Sequence, residues 1–328
     1  MTIPVIIDTD PGLGEVGSDI DDGLAIALAL ASPELEVLGL TVVNGNVDAL
    51  TGVDVARRLL RRLEREDIPV VLGATAPLTR DMESVRALFA AALPSTNVSS
   101  EGRDLEGPTT TQHAADFLSE QVAARPGEVT VVAIGPMTNL ALAMERHPAF
   151  AQEVKELVLM AGSATTFAQN VTTVGDFNTY VDPEALDVVL RSGAPVRMVG
   201  IDQTSRVMLT RDDAARLRRS PSPFGRWAAE CADAWIDYLG RAFPARVEHQ
   251  TACFLHDPLV IAALTHPELL TWEGAEVTVA LAEDLTRGLV VADRGLALTR
   301  PAASSVQVAT DTDVARFGDL FFERISQV

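Results

Sequence analysis

Aspartate residues are concentrated just after the first predicted strand of this chain. Asp8 and Asp10 end an apolar segment, and Asp19, Asp21 and Asp22 follow at the predicted start of a helix. Carboxylates this close together repel one another unless a cation neutralises them. Oxygen ligands without cysteine or several histidines are typical of sites for hard cations such as Ca²⁺ or Mg²⁺ rather than zinc. Helix capping, the alternative role of Asp21 and Asp22, does not account for the two aspartates upstream.

More acidic and amide side chains follow the later predicted strands, and no lysine or arginine accompanies them. They are Asn44, Asn46, Asn139, Asn170, Asp176, Asn178 and Asp257, with His256 beside the last. In an open α/β sheet the ligand lies outside the carboxyl ends of the strands, so we expect these side chains to share one crevice. Amides and carboxylates without a cationic side chain favour a neutral polyhydroxylated ligand, such as a sugar diol, over a phosphate.

Two other motifs in the first segment predict different chemistry. Residues 12–17 match the Gly-x-Gly-x-x-Gly spacing of a dinucleotide-binding loop, but the neighbouring aspartates would repel a pyrophosphate. Asp8 and Asp10 are also spaced as in phosphohydrolases that form an aspartyl phosphate. Those enzymes need a downstream lysine to hold the phosphoryl group, and Lys155, the only lysine, stands at the start of a strand, the wrong end.

The elements that must position these residues alternate between short apolar strands and helices. We predict strands at 4–8, 36–43, 69–72, 128–134, 154–161 and 195–199, and helices at 22–31, 53–64, 138–146 and 183–190. The strands are continuous apolar runs, which is typical of a parallel sheet covered on both faces. The predicted fold is therefore α/β, with a single open, mostly parallel, Rossmann-like sheet and helices on both faces.

The C-terminal third departs from this alternation. Residues 211–241 are helical in pattern, and strand-like runs return at 276–281 and 288–291. We interpret them as a helical and β-hairpin elaboration of one domain that spans residues 1–328. Residues 74–111 show the weakest periodicity and are predicted to include a mobile loop.

Composition limits the partners of the protein. The 328 residues include 26 basic and 46 acidic side chains, and the net charge of −20 disfavours nucleic acid and anionic membranes. Two short arginine runs, at 57–62 and 216–219, are expected to be solvated faces of helices. From the residue pattern we expect no signal peptide, no span long enough to cross a membrane and, with two cysteines, no disulfide framework. We therefore expect a reduced, cytoplasmic protein.

Taken together, the motifs resemble those of the inosine–uridine-preferring nucleoside hydrolases. The resemblance rests on Asp-Thr-Asp-Pro-Gly at 8–12 with Asp-Asp at 21–22, Thr-Val-Val-Asn-Gly-Asn at 41–46, Gly-Pro-Met-Thr-Asn at 135–139, the segment 170–178 and His-Asp-Pro at 256–258. It continues to residues 286–294 and so covers most of the chain. The resemblance implies hydrolysis of the N-glycosidic bond of a ribonucleoside to ribose and free nucleobase, through an oxocarbenium-like transition state.

The site residues of this family transfer to the sequence position by position. The resemblance implies a tightly bound Ca²⁺ held by Asp10, Asp22, Asp257 and the backbone carbonyl of Thr138. It further implies that Asp10 is the general base for a Ca²⁺-bound water and that His256 assists departure of the base. The substrate-binding residues that it implies are Asp21, Asn46, Met160, Asn170, Asp176, Phe177, Asn178 and Asp257. Family members are dimers or tetramers, so a homodimer or homotetramer is expected here.

Three features differ from the family's usual pattern, and two other functions stay open. Residues 14–20 are inserted before the paired aspartates, Asp176 stands where a glutamate is usual, and 98–107 contain no histidine. The first alternative function is a Mg²⁺-dependent phosphohydrolase that uses Asp8 or Asp10. The second is a non-catalytic, Ca²⁺-stabilised protein that binds a nucleoside or a sugar.

Trp235 and Tyr238 share one helical pattern. Aromatic residues at this spacing are typical of a core or an interface. The alternative is that one of them stacks on the nucleobase.

Overall fold

A computed structural model of the chain confirms the predicted α/β sheet. It describes residues 2–15, 17–80, 82, 112–166, 170–295 and 306–328. The strands in these ranges are β1 (Ile3–Thr9), β2 (Leu35–Val42), β3 (Val70–Leu72), β4 (Thr130–Ala133), β5 (Glu156–Met160), β6 (Val196–Val199), β7 (Met208–Thr210), β8 (Ala252–Phe254), β9 (Leu270–Val279), β10 (Val290–Asp293) and β11 (Val306–Thr312).

Nine of the described strands form one sheet in the order β10-β9-β11-β6-β5-β4-β1-β2-β3. All pairs from β11 to β3 are parallel, and β1 lies between β2 and β4. β9 and β10 pair antiparallel at one end, which confirms the predicted β-hairpin elaboration. β7 and β8 form a separate antiparallel pair.

Helices cover both faces of this sheet. They are α1 (Asp21–Leu30), α2 (Ala49–Arg62), α3 (Ala114–Ala124), α4 (Thr138–Arg146), α5 (Phe150–Glu153), α6 (Phe177–Val181), α7 (Pro183–Arg191), α8 (Ile201–Thr204), α9 (Arg211–Arg218), α10 (Pro223–Ala242), α11 (His256–Thr265) and α12 (Val314–Ile325). One hydrophobic core joins the sheet to α1, α2, α10, α11 and α12, and a second joins it to α3, α4 and α7. Central strands are therefore buried on both sides, as their continuous apolar sequences indicate.

The structure also differs from the sequence prediction in several elements. β11, α3 and α12 were not predicted, and the strand predicted at 276–281 is the second half of a longer strand that begins at Leu270. The helix predicted at 53–64 begins at Ala49, where Asp48 caps it. Within the region predicted to include a mobile loop, residues 81 and 83–111 lie outside the described residues. None of the described helices combines the length and the apolar character that crossing a membrane requires.

Candidate active site

The carboxyl ends of the central strands bring many of the predicted residues to one edge of the sheet. β1 ends at Thr9 beside Val42 of β2, so the segments that follow these strands start next to each other. Asp10 follows β1, and the turn with Asn46 follows β2. Two helices, α1 and α11, begin at the same edge and add three aspartates.

Three buried carboxylates meet where α1 and α11 begin. One oxygen from each of Asp21, Asp22 and Asp257 lies within 4.8 Å of the other two. The backbone N–H of Asp257 donates to Oδ2 of Asp21 at 3.2 Å, which connects the first turns of the two helices. Both helices are apolar on all sides and pack against each other. They therefore hold these carboxylates in the interior, away from bulk water.

Asp10 lies directly beside this group of three. Its backbone N–H donates to Oδ1 of Asp22 at 3.1 Å. Asn46 joins the two carboxylates, because its backbone N–H donates to Oδ2 of Asp10 at 2.7 Å and its side-chain amide donates to Oδ2 of Asp22 at 3.0 Å. Oδ1 of Asp10 is buried and has no hydrogen-bond partner among the described residues.

Two glycines make room for the Asp10 carboxylate. A Cβ at Gly45 would lie 2.6 Å from the carboxyl carbon of Asp10, and a Cβ at Gly135 would lie 2.7 Å from its Oδ1. Real side chains do not approach this closely, so only glycine fits on either side of the carboxylate. Both glycines stand within sequence motifs, but their role depends on contacts between segments that follow separate strands, which the sequence alone does not show.

The electrostatic balance of these aspartates indicates a missing positive charge. Burial raises the pKa of Asp10 well above its usual range, and the charge of Asp22 raises it further. The pKa of Asp21 rises through burial and then through Asp19 and Asp22, and that of Asp257 through burial and then through Asp21. No ion pair in the described ranges joins an arginine or lysine to these carboxylates. The unpartnered Asp10 oxygen and the all-oxygen donor set therefore fit a hard divalent cation.

Asp8 supports the site from inside the sheet. Its Oδ1 accepts from the Thr41 hydroxyl at 2.5 Å and from the Asn139 amide at 2.8 Å, and burial raises its pKa to about 7. Asn139 in turn accepts from the backbone N–H of Ala74 at 2.8 Å. Asp8 thus joins β2 to the start of α4, and Asn139 joins α4 to the segment after β3.

Thr138, whose carbonyl is a predicted metal ligand, is the first residue of α4 and is buried. Its hydroxyl donates to Oδ2 of Asp182 at 2.7 Å. Asp182 also accepts from the backbone N–H groups of Leu78 and Ala185, so it fixes Thr138 against two other segments. Sequence reasoning missed Asp182, although an aspartate before Pro183 is a usual signal for the start of a helix.

The predicted sugar-binding residues lie around α6. The amide of Asn178 donates to the backbone carbonyls of Ile134 at 2.7 Å and Met160 at 3.1 Å, after β4 and at the end of β5. Oδ1 of the exposed Asn170 accepts from the backbone N–H of Phe177 at 3.0 Å. These contacts join the polar segment 170–178 to the same edge of the sheet.

Asp176, predicted to bind the 5′-hydroxyl, is buried in the structure and caps α6. It accepts from the backbone N–H groups of Gly162 at 2.7 Å and Thr179 at 3.2 Å and from the Thr179 hydroxyl at 2.5 Å. The side chain therefore holds the turn after β5 in place, whatever its role toward a substrate.

His256 begins α11 next to Asp257 and is buried. Its Nδ1 lies 2.8 Å from the Thr204 hydroxyl, and its ring centroid lies 5.2 Å from that of Phe254. Burial lowers its pKa to about 4, and nearby His249 adds to this shift. The imidazole is therefore neutral at pH 7.

Trp235 and Tyr238 stack on each other in α10, with ring centroids 5.3 Å apart and planes 11° from parallel. Tyr238 is buried, and its hydroxyl has no hydrogen-bond partner among the described residues. Trp235 is partly buried and packs against the core, so both rings agree with the prediction of a core or interface, and stacking on a base stays a prediction.

Known proteins similar to this chain share one chemistry. A family model described as inosine-uridine preferring nucleoside hydrolase matches residues 5–319. The pyrimidine-specific ribonucleoside hydrolase RihA of Shewanella oneidensis is 34% identical over 312 residues, which cover 93% of this chain and 91% of that protein. The probable uridine nucleosidase 1 of Oryza sativa subsp. japonica is also 34% identical and is matched over 89% of this chain and 85% of its own length.

Solved structures agree with these sequence matches. A plant nucleoside hydrolase, the PpNRh1 enzyme, has a TM-score of 0.84 and 32% identity with this chain, and the match covers 100% of both chains. The purine-preferring ribonucleoside hydrolase from Gardnerella vaginalis has a TM-score of 0.82 and 31% identity, and covers 99% of this chain and 98% of its own.

Proposed function

Because the chain belongs to the inosine-uridine preferring nucleoside hydrolase family, it is an N-ribosyl hydrolase, and we propose how its residues cleave the N-glycosidic bond. The observation that carries the proposal is the buried, unpartnered oxygen of Asp10 beside the three carboxylates of Asp21, Asp22 and Asp257. We propose that Asp10, Asp22, Asp257 and the carbonyl of Thr138 hold Ca²⁺. When bound, Ca²⁺ neutralises these charges, orients a water and the ribose diol, and lowers the pKa of the water.

Asp10 is the proposed general base. Its carboxylate takes one proton from the attacking water, whose oxygen forms a bond to C1′ of the ribose. The N-glycosidic bond breaks and its electron pair leaves with the nucleobase nitrogen. Gly45 and Gly135 leave room for the carboxylate, and the backbone N–H of Asn46 holds its Oδ2, which supports its action on a water in a fixed place.

The remaining side chains are proposed to hold the sugar. Asp21, Asn178 and Asp257 bind the 2′- and 3′-hydroxyls with Asn46 close by, and Asn170 and Asp176 bind the 5′-hydroxyl, while Met160 and Phe177 line the sugar. Carboxylate and amide oxygens around the ribose stabilise the positive charge that develops on it in the transition state. The described side chains of the site include no cation, which suits this charge and disfavours phosphate groups.

His256 is proposed to assist the leaving base by donating a hydrogen bond. The ring is neutral, and when the Thr204 hydroxyl donates to Nδ1 the single ring proton sits on Nε2. That N–H then stabilises the negative charge that develops on the departing base.

A nucleoside panel with an Asp10→Asn variant tests the proposal. Purified protein should contain calcium and should release uracil from uridine or hypoxanthine from inosine, with ribose as the second product. We expect Asp10→Asn to lower kcat by 10²–10⁴-fold, the usual contribution of a general base. Asp67→Asn, which changes an exposed aspartate, is the matched control and should retain full activity.

The same experiment separates the alternatives. Phosphate release from phosphomonoesters would favour the phosphohydrolase, and tight nucleoside binding without product would favour the binding protein. Unchanged hydrolysis in Asp10→Asn would show that another group is the base.

A further inference from the structure

A pocket of about 570 Å³ lies outside the cluster of catalytic aspartates. Its walls are the outer face of α2, the N-terminal part of α10 and the loop between β1 and α1. Arg58, Arg61 and Arg62 line it on α2, Trp227 lines it on α10, and Gly14 lines it on the loop. None of the aspartates proposed to hold the cation is part of its lining.

This pocket has the opposite chemistry to the catalytic site. The chain has only 26 basic side chains against 46 acidic ones, yet three arginines, at positions i, i+3 and i+4 of one helix, face the same cavity. The sequence predicts that this arginine run is a solvated helix face. The helix is confirmed, and its Arg61 and Arg62 side chains are exposed as expected, with α10 and the loop flanking this basic face.

Arg61 has a weak partner that an anion could replace, whereas Arg58 is held by two largely buried carboxylates and keeps them while it faces the pocket. Arg58 pairs with Glu15 and Asp54, and Arg61 pairs with Glu66 at 3.2 Å, where the side chains of both Arg61 and Glu66 are about half exposed. Exposed ion pairs contribute about 0–1 kcal/mol. A doubly charged anion gains more from several guanidinium groups than each exposed pair loses.

Arg62 and Trp227, which both line the pocket, also contact each other. The Arg62 guanidinium carbon lies 4.4 Å from the centre of the Trp227 ring, and Arg62 has no carboxylate partner among the described residues. The edge of the same ring lies close to Gly14, where a Cβ would be 3.1 Å away. A guanidinium group next to an indole ring suits a ligand that carries both an anionic group and a planar ring.

We propose that this pocket is a second ligand site, separate from the catalytic one, that binds a phosphate monoester of a nucleoside. The phosphate contacts Arg58, Arg61 and Arg62, and the base packs against Trp227. A volume of about 570 Å³ is within the usual range for small-molecule sites. The acidic catalytic site repels a phosphate, so the two sites select different forms of the same class of molecule.

Calorimetric titration with uridine monophosphate tests this site without relying on activity. The variants are Arg61→Ala/Arg62→Ala and the matched control Arg218→Ala/Arg219→Ala, which removes the same charge from the other arginine run. All four side chains are exposed, so both variants should fold as the parent does. We expect the first variant to weaken binding at least tenfold and the control to leave it within twofold.

Further titrations identify what the pocket recognises. Inorganic phosphate should bind more weakly than uridine monophosphate, and Trp227→Ala should remove most of this difference. Equal binding by parent and Arg61→Ala/Arg62→Ala, or no binding by the parent at millimolar ligand, would overturn the proposal. A changed oligomeric state of that variant, without an effect on ligand binding, would show a contact between copies of the chain and would overturn it as well.

Discussion

Replacement of Gly45 by alanine should displace the carboxylate of Asp10, the proposed general base. None of the proposed catalytic side chains is itself changed by this substitution. The new Cβ would lie 2.6 Å from the carboxyl carbon of Asp10. Carbon atoms in contact lie about 3.5–4.0 Å apart, and Oδ2 of Asp10 would be closer still, at 1.8 Å, so the carboxylate must move by at least about 1 Å. A displacement of about 1 Å at a reacting group can lower activity about 10²-fold. We therefore expect kcat/KM for nucleoside hydrolysis to fall by about two orders of magnitude, with about 1–3 kcal/mol lost from the free energy of unfolding.

Steady-state release of free base measures this effect, and bound calcium and urea unfolding are measured on the same samples. Gly318→Ala is the matched control, because no atom lies within 4 Å of its Cβ position in α12 and helical alanine is favourable. It should keep parental activity and gain about 0.5–1 kcal/mol in stability. Parental kcat/KM in Gly45→Ala would refute the reasoning, since Asp10 would then tolerate a 1 Å shift or would not be the base.

Three other outcomes follow from buried groups and from the proposed cation. Asp176→Ala removes the acceptor of two backbone N–H groups, so the free energy of unfolding measured in urea should fall by about 2–4 kcal/mol. An unchanged midpoint of the urea unfolding transition would contradict the capping role. Burial raises the pKa of the Cys231 thiol to about 11, so native protein at pH 8 should react with iodoacetamide about 100-fold more slowly than unfolded protein. The reaction rate of the native protein should rise with pH. Equal rates for native and unfolded protein would contradict this. Ca²⁺ at about 100 times its Kd should add about 2.7 kcal/mol to the free energy of unfolding and should raise Tm. The Asp22→Asn variant should show only a small part of both effects.

The sheet and the aspartate cluster could be predicted because local patterns encode both. β1 and α1 are continuous apolar runs, and strands of this kind form parallel sheets. Polar residues directly after such strands meet at one edge, which is how Asp10 and Asn46 come to share hydrogen bonds.

Other features could not be predicted, because their signals are weak or depend on contacts distant in sequence. α3 is capped by the side chain of His113, which accepts from the backbone N–H of Ala115, and histidine is not among the usual capping residues. The roles of Gly45 and Asp182 depend on atoms from segments far away in the chain. Local sequence patterns do not predict such contacts.

The position of β11 has a consequence for the making of this protein. β11 is the last strand in sequence, yet it lies between β6 and β9 in the sheet. During synthesis β6 can therefore pair with β11 only after residues 306–312 have left the ribosome. Until then β6 presents unpaired N–H and C=O groups to other nascent chains. Substitutions that weaken β11 should therefore appear first as aggregated protein during expression, and only later, if at all, as altered catalysis.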